Sequence, residues 1–224
     1  MIIRRLQKIR AKKAEKEFFK NSSTEEVFTH IYESNKWGDS ESRSGKGSNL
    51  EKTANLMEAI PSMLKELNAE SMLDIPCGDF HWMKEIELPL DRYMGADIVK
   101  PMIKENQRRF GNDRREFLHL DLIKDDLPSV DVIFCRECLV HLSFADISLA
   151  LANIDRSGAK YLFTTQFPEI QKNKDSITGK HHSLNFTAAP FNWPKPMMSH
   201  NEYFSSKRRG NKHLSVWKIS ELTI

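Results

Sequence analysis

Cysteine is scarce in this chain of 224 residues, and long apolar runs are absent. The cysteines stand at 77, 135 and 138, an odd number, which argues against a disulfide framework and for a reducing, cytoplasmic setting. Cys135 and Cys138 form a C-x-x-C with His141 close behind, but one such cluster offers too few ligands for a closed structural zinc site. The thiols therefore read as buried strand-end residues, and no metal is expected. No stretch reaches the roughly 18 apolar residues of a membrane span, and the first residues lack the apolar core of a signal peptide. Neither feature is expected.

A positive excess is missing from most of the chain. Residues 1–20 hold eight Lys/Arg against two Glu, a net +6, and the remainder holds 26 against 29, a net −3. An acidic body is not built to grip nucleic acid, which needs a basic face. The basic segment predicts a helix with Ile2, Leu6, Ile9 and Phe18 loosely on one side. Such a helix suits weak contact with an anionic membrane surface, but its apolar stripe is thin and a solvated extension or an oligomer contact fits better.

A G-x-G-x-x-G turn is also absent. In its place stands Ser71-Met72-Leu73-Asp74-Ile75-Pro76-Cys77-Gly78-Asp79-Phe80-His81-Trp82-Met83, a short apolar run, an acid, a turn on Pro and Gly, then apolar residues at helical spacing. This predicts strand 71–75 and a helix over about 79–87, the opening of a βαβ unit with a ligand at the strand's carboxyl end. Asp74 and Asp79 would repel a pyrophosphate. They suit a ligand with a cationic centre, an amino group and hydroxyls, and S-adenosylmethionine has these and no phosphate. Arg92 to Ile98 reads as a second strand ending in Asp97, 19 residues after Gly78, where an acid can accept both ribose hydroxyls.

The remaining pattern alternates strands and helices. A helix is expected over 24–36 with Thr24 as its cap. Another is expected over 49–67, where Pro61 marks a kink or a break. A helix follows Pro101. Strands are expected at 117–120, 131–135 and 160–167, with a helix over 147–154. A closing strand at 213–219 pairs antiparallel with one near 197–204. Between the first helices lies the loop Trp37 to Leu50, rich in Gly and Ser and carrying Arg43 and Ser48, read as a lid or site loop.

The segments Leu73-Asp74-Ile75-Pro76-Cys77-Gly78-Asp79, Gly95-Ala96-Asp97-Ile98, Phe117-Leu118-His119-Leu120-Asp121 and Asp131-Val132-Ile133-Phe134-Cys135-Arg136 resemble successive motifs of the class I S-adenosylmethionine-dependent methyltransferases. More narrowly, the chain is similar to a bacterial group with an Asp-x-Pro-Cys-Gly-Asp loop, associated with surface-polysaccharide biosynthesis. Pro76 and Phe80 stand where the commoner motif has glycines. The resemblance implies an α/β, Rossmann-like seven-stranded sheet, mostly parallel, with a C-terminal antiparallel hairpin. It divides the chain into the extension 1–20 and a methyltransferase domain 21–224, with helices and lid loop at 21–67 and an acceptor-side insertion at 168–200.

It further implies the cofactor S-adenosylmethionine, held by Asp74, Pro76, Cys77, Gly78, Asp79, Trp82, Asp97, Ile98, Asp121, Leu122, Arg136, Trp37 and Ser48. Asp121 could bond the adenine amino group or merely cap a turn; Arg136 could pair with Asp79 or with the methionine carboxylate. His141 is the candidate general base, since imidazole near neutrality suits a hydroxyl acceptor. The insertion holds Asn173, His181, His182, Asn185, Phe191 and Trp193, which suit a sugar. Arg43, His181 and Asn185 are the candidate acceptor-binding residues. The expected activity is O-methylation of a sugar or glycan precursor. Methylation of another small molecule or a protein, or binding without catalysis, are the alternatives.

Overall fold

The computed structural model describes residues 2–202 and 211–224, without the side chains of residues 2–4, 6 and 8. Among the described residues seven strands form one sheet in the order β3-β2-β1-β4-β5-β7-β6. They are β1 (Ser71–Asp74), β2 (Arg92–Asp97), β3 (Arg115–His119), β4 (Val132–Cys135), β5 (Tyr161–Gln166), β6 (Met198–Asn201) and β7 (His213–Lys218). The first five run parallel, and β7 lies antiparallel between β5 and β6. This is the expected Rossmann-like sheet with its C-terminal hairpin. The strand order reverses beside β1 and β4, where ligands of such sheets bind.

Two apolar layers cover the sheet. Leu56, Ile60 and Leu64 of α3 (Leu50–Glu66) and Ile103 of α4 (Lys100–Phe110) pack with Met72, Phe134 and Phe163 on one face. Ile147, Leu151 and Ile154 of α5 (Phe144–Arg156) pack on the other with Leu73, Ile133 and Leu162. Gly95 permits close strand contact: a Cβ there would lie 2.7 Å from the Phe117 ring.

Several expectations shift. Ser23, not Thr24, caps α2 (Thr24–Glu33), because a capping box with Glu26 satisfies the first amides. Pro61 sits inside a continuous α3. The helix expected over 79–87 is only a 3-10 turn at Met83–Glu85, since Phe80 takes a φ of +57° to bury its ring among Tyr93, Phe110 and Phe117. The basic segment forms α1 (Ile2–Asn21), anchored at its end by buried Phe19 against Val27 and Ile31 of α2. Ile9 is exposed, while the side chains of Ile2 and Leu6 lie outside the described residues. No described helix is long and apolar enough to cross a membrane.

Candidate active site

At the carboxyl ends of β1, β2 and β4 the chain leaves a cavity of about 370 Å³. That lies within the usual size of small-molecule sites. Its floor carries two buried acids. Asp74, at the end of β1, accepts the Tyr93 hydroxyl at 2.6 Å. Asp97, at the end of β2, accepts the Gly78 amide at 3.2 Å and the Val99 amide at 3.0 Å. Burial raises Asp74 to about 7 and Asp97 to about 6, against the help of these donors. Both acids line the cavity, where hydroxyl donors or positive charge would offset the burial of their carboxylates.

The turn after β1 is held from below and above. Asn106 of α4 donates to the Gly78 carbonyl at 2.7 Å. Above, Asp79 does not face the cavity as a free anion. Its carboxylate accepts the Ser42 hydroxyl at 2.9 Å, the Arg43 amide at 2.9 Å and the Ser44 hydroxyl at 3.2 Å. Asp79 therefore docks the Gly/Ser loop onto the pocket. Gly78, at φ +58°, lets Ser44 approach: a Cβ there would meet the Ser44 Oγ at 2.2 Å. The loop brings Trp37, Arg43 and Ser48 to the cavity wall, and α2 adds Phe28 and Tyr32.

Pro76, Cys77, Trp82, Ile98 and Leu122 also line the cavity. Asp121 lines it while accepting the Ile123 amide at 2.9 Å, so its turn-capping role is visible. Arg136 lines the pocket beneath the lid, but its ion pair is with Glu202 at 2.6 Å, not with Asp79. It also donates to the Gly47 carbonyl at 2.9 Å and stacks over Trp82. Lys212 completes a buried cluster, 2.8 Å from Glu202 and 2.6 Å from Glu137. Glu137, Glu202 and Lys212 carried no sequence signal, because they lie far apart along the chain. Tyr93 and Asn106 were missed for the opposite reason, since each reads as ordinary core or helix polarity.

His141 stands at the mouth, its ring 5.2 Å from Trp37 and 5.3 Å from His181. Burial lowers it to about 4, only partly offset by the Glu137 carboxylate. It is not the near-neutral titrator the sequence suggested; it is a neutral imidazole across the physiological range. Its Nδ1 is buried without a hydrogen-bond partner. His181, from the long 168–200 segment, is exposed and packs edge-on against Phe167.

The rest of that segment does not reach the site. Asn185 is spent on its own loop: it donates to the Pro168 and Ile170 carbonyls and accepts the Thr187 amide. Asn173 likewise serves the Asn185 and Ala189 carbonyls. Trp193 is buried and stacked on Phe186 at 4.5 Å, with Phe191 beside it. His182 is taken up by the Lys174 and Leu142 carbonyls. Of the cysteines, Cys77 and Cys135 are buried, while half-buried Cys138 lines the cavity.

Comparison with known proteins adds to this geometry. A family model described as a methyltransferase domain matches residues 73–159, which include both acids and the turn after β4. An uncharacterized methyltransferase of Mycobacterium tuberculosis is 22% identical over 160 residues, spanning 64% of this chain and 79% of the relative. Among solved structures, an S-adenosylmethionine-dependent methyltransferase from Leishmania major shares the fold with a TM-score of 0.58 at 13% identity, over 76% of this chain and 75% of that one. Human N-acetylserotonin methyltransferase in complex with S-adenosylmethionine has a TM-score of 0.55 at 15% identity, over 88% and 60% of the two chains. The family match and the shared fold support a methyltransferase.

Proposed function

We propose that this chain is an S-adenosylmethionine-dependent methyltransferase that O-methylates a hydroxyl of a sugar or glycan precursor, of the kind used in surface-polysaccharide biosynthesis. The observation that carries the cofactor is the pair of buried carboxylates, Asp74 and Asp97, on one cavity floor. Both are pushed toward protonation by burial. Ribose hydroxyls at Asp97 and positive charge near Asp74 would restore what burial removes. The residues present therefore fit the cofactor, which when bound supplies a methyl group on a positively charged sulfur.

The chain's own contribution is alignment and proton handling. The Gly/Ser loop, docked by Asp79, lines the cavity, where it would hold the acceptor against the cofactor and keep water from the reacting groups. His141, neutral at its mouth, can accept the proton that an acceptor hydroxyl must lose. The indole of Trp37 and the ring of His181 flank it on two sides. An apolar ring face beside polar edges suits the CH face and hydroxyls of a sugar, and this supports the sugar reading. Arg43 at the rim adds a donor for the acceptor's polar groups.

Calorimetric titration with S-adenosylmethionine and S-adenosylhomocysteine tests the core of the reading. Binding by the wild type and its loss in Asp97→Ala is the expected result. No binding by the wild type would overturn it. His141→Ala should then abolish methyl transfer to glycan acceptors while leaving cofactor affinity unchanged; full turnover in that variant would remove the base role.

A further inference from the structure

The basic helix α1 has no task in the site described above. From Arg5 to Ala14 every described side chain of α1 is exposed. Arg5, Ile9, Lys12, Lys16 and Lys20 follow one another at steps of four or three residues, so they form one stripe along the helix. All five are exposed. The stripe runs for about 22 Å at the helical rise per residue. Glu15 and Glu17 flank Lys16 at about 100° on either side, off the stripe. Glu15 is also paired with Lys36. The carboxyl end of the helix is rooted beside the cavity. Phe19 packs with Val27 and Ile31, and Phe28 and Trp37 of the cavity wall rest against them. Gly179 lets Phe19 approach, since a Cβ there would meet the Phe19 ring at 2.8 Å, and the Gly179 amide donates to the His141 carbonyl at 2.8 Å. A basic arm thus starts one packing layer from the cavity mouth.

We propose that α1 lies on an anionic lipid surface, its basic stripe against the headgroups, and so holds the cavity mouth beside an acceptor presented there. The nature of that acceptor rests on the function proposed above; the docking of α1 does not. Charge decides which surface fits. Residues 1–20 carry a net +6 and the remainder a net −3. A flat bilayer meets the arm, while the acidic body can stand off beyond a Debye length of about 8–10 Å, where repulsion is screened. A nucleic acid would need a basic face on the body as well. Ile9, 56% exposed within the stripe, separates the two cases further. An isoleucine among cations gains nothing from a polyanion in water. On a bilayer it enters the acyl boundary while the Lys and Arg stems carry their charges to the headgroups. No described helix is long and apolar enough to cross a membrane, so α1 lies along the surface. With a single isoleucine on the stripe, most of the attraction is electrostatic, and salt should weaken it.

Vesicle flotation of the full chain tests this without cofactor. Vesicles of phosphatidylcholine with about 30% phosphatidylglycerol should carry the protein, and vesicles of phosphatidylcholine alone should not. Binding should fall by about tenfold or more between about 50 and 300 mM salt. The triple variant Lys12→Glu, Lys16→Glu, Lys20→Glu should lose binding by a similar factor, and Ile9→Ser should weaken it severalfold. Reversing three exposed lysines elsewhere, Lys65→Glu, Lys104→Glu and Lys172→Glu, changes the net charge equally and should leave most of the binding in place. Melting temperatures show that each variant folds. Absence of flotation on the anionic vesicles, or equal loss in the two triple variants, would overturn the proposal. So would binding to a duplex oligonucleotide that outcompetes the vesicles and ignores Ile9→Ser, which assigns the arm to nucleic acid. A dimer in light scattering that the stripe variant dissociates, with no flotation, assigns it to a second copy and overturns the proposal equally. Calorimetry with S-adenosylmethionine keeps the two readings apart. A wild type that floats without binding cofactor defeats the methyltransferase reading alone, and one that binds cofactor without floating defeats the docking alone.

Discussion

The Asp79 carboxylate accepts the hydroxyl of Ser42 at 2.9 Å, across 37 residues of chain. With the Arg43 amide and the Ser44 hydroxyl on the same group, this one acid ties the Gly/Ser loop to the turn after β1. Hydrogen bonds to a charged acceptor contribute roughly 1.5–3 kcal/mol each when both partners stay paired. Asp79→Ala should therefore release the loop. Hydrogen exchange across residues 40–48 is expected to speed up by an order of magnitude or more, with the sheet unaffected. Unchanged exchange there would mean that the loop is held by its other contacts alone.

Asp97 sets the pH dependence of the site. Burial raises it to about 6, so below that pH it is protonated. A ligand that needs the carboxylate as an acceptor must ionise it first. Affinity for S-adenosylmethionine should strengthen as pH rises through about 6, continue to rise through about 7 as Asp74 ionises, and level off above that. Calorimetry across that window would show the steeper slope in wild type and only the Asp74 component in Asp97→Asn, whose residual binding is weak at every pH.

The same group costs stability. Its folded value lies above the usual 3.8, so the folded state binds the proton more tightly than the unfolded chain does. Stability from this group is greatest below 3.8 and is lost as pH rises toward 6. Above that window Asp97→Asn should be more stable than wild type, by on the order of 3 kcal/mol. Thermal melts at mildly alkaline pH check this; an equal or lower melting temperature would show that the carboxylate is better solvated than its burial indicates.

What the sequence made legible follows from these geometries. Asp74 and Asp97 were readable because an apolar run that ends in an acid can be a buried parallel strand with its acid at the ligand edge, and the sheet order places both there. The lid loop was readable by composition, yet its anchor was not: Asp79 looked like a cofactor ligand, and only the fold shows three loop donors on it. The Glu137–Lys212–Glu202–Arg136 cluster was illegible, since residues up to 75 positions apart meet only when β7 inserts beside β5. Asn185 failed for a different reason. An amide near aromatics suits a sugar, but it equally suits the unpaired carbonyls of a long loop, and here it satisfies those of Pro168 and Ile170.

Asp131, far from the cavity, offers a test of the scaffold alone. Its carboxylate accepts the Glu70 and Ser71 amides at 3.0 Å each, the Ser71 hydroxyl at 2.8 Å and the Lys160 ammonium at 2.7 Å. It thereby stitches the entrances of β1, β4 and β5. Partial burial raises it, but these donors outweigh that and hold it down at about 2. A lowered folded value means stability that is fully present above the usual 3.8 and lost as pH falls through about 2. The difference corresponds to about 2 kcal/mol. Asp131→Ala should lower the melting temperature at neutral pH by roughly 4–8 °C for a chain of this size, and the gap to wild type should narrow as the melts are taken to lower pH. S-adenosylmethionine affinity at a temperature where both proteins are folded should not change, because Asp131 bonds the entrances of the strands and the cavity lies at their carboxyl ends. A pH-independent gap would assign the loss to side-chain packing instead of charge.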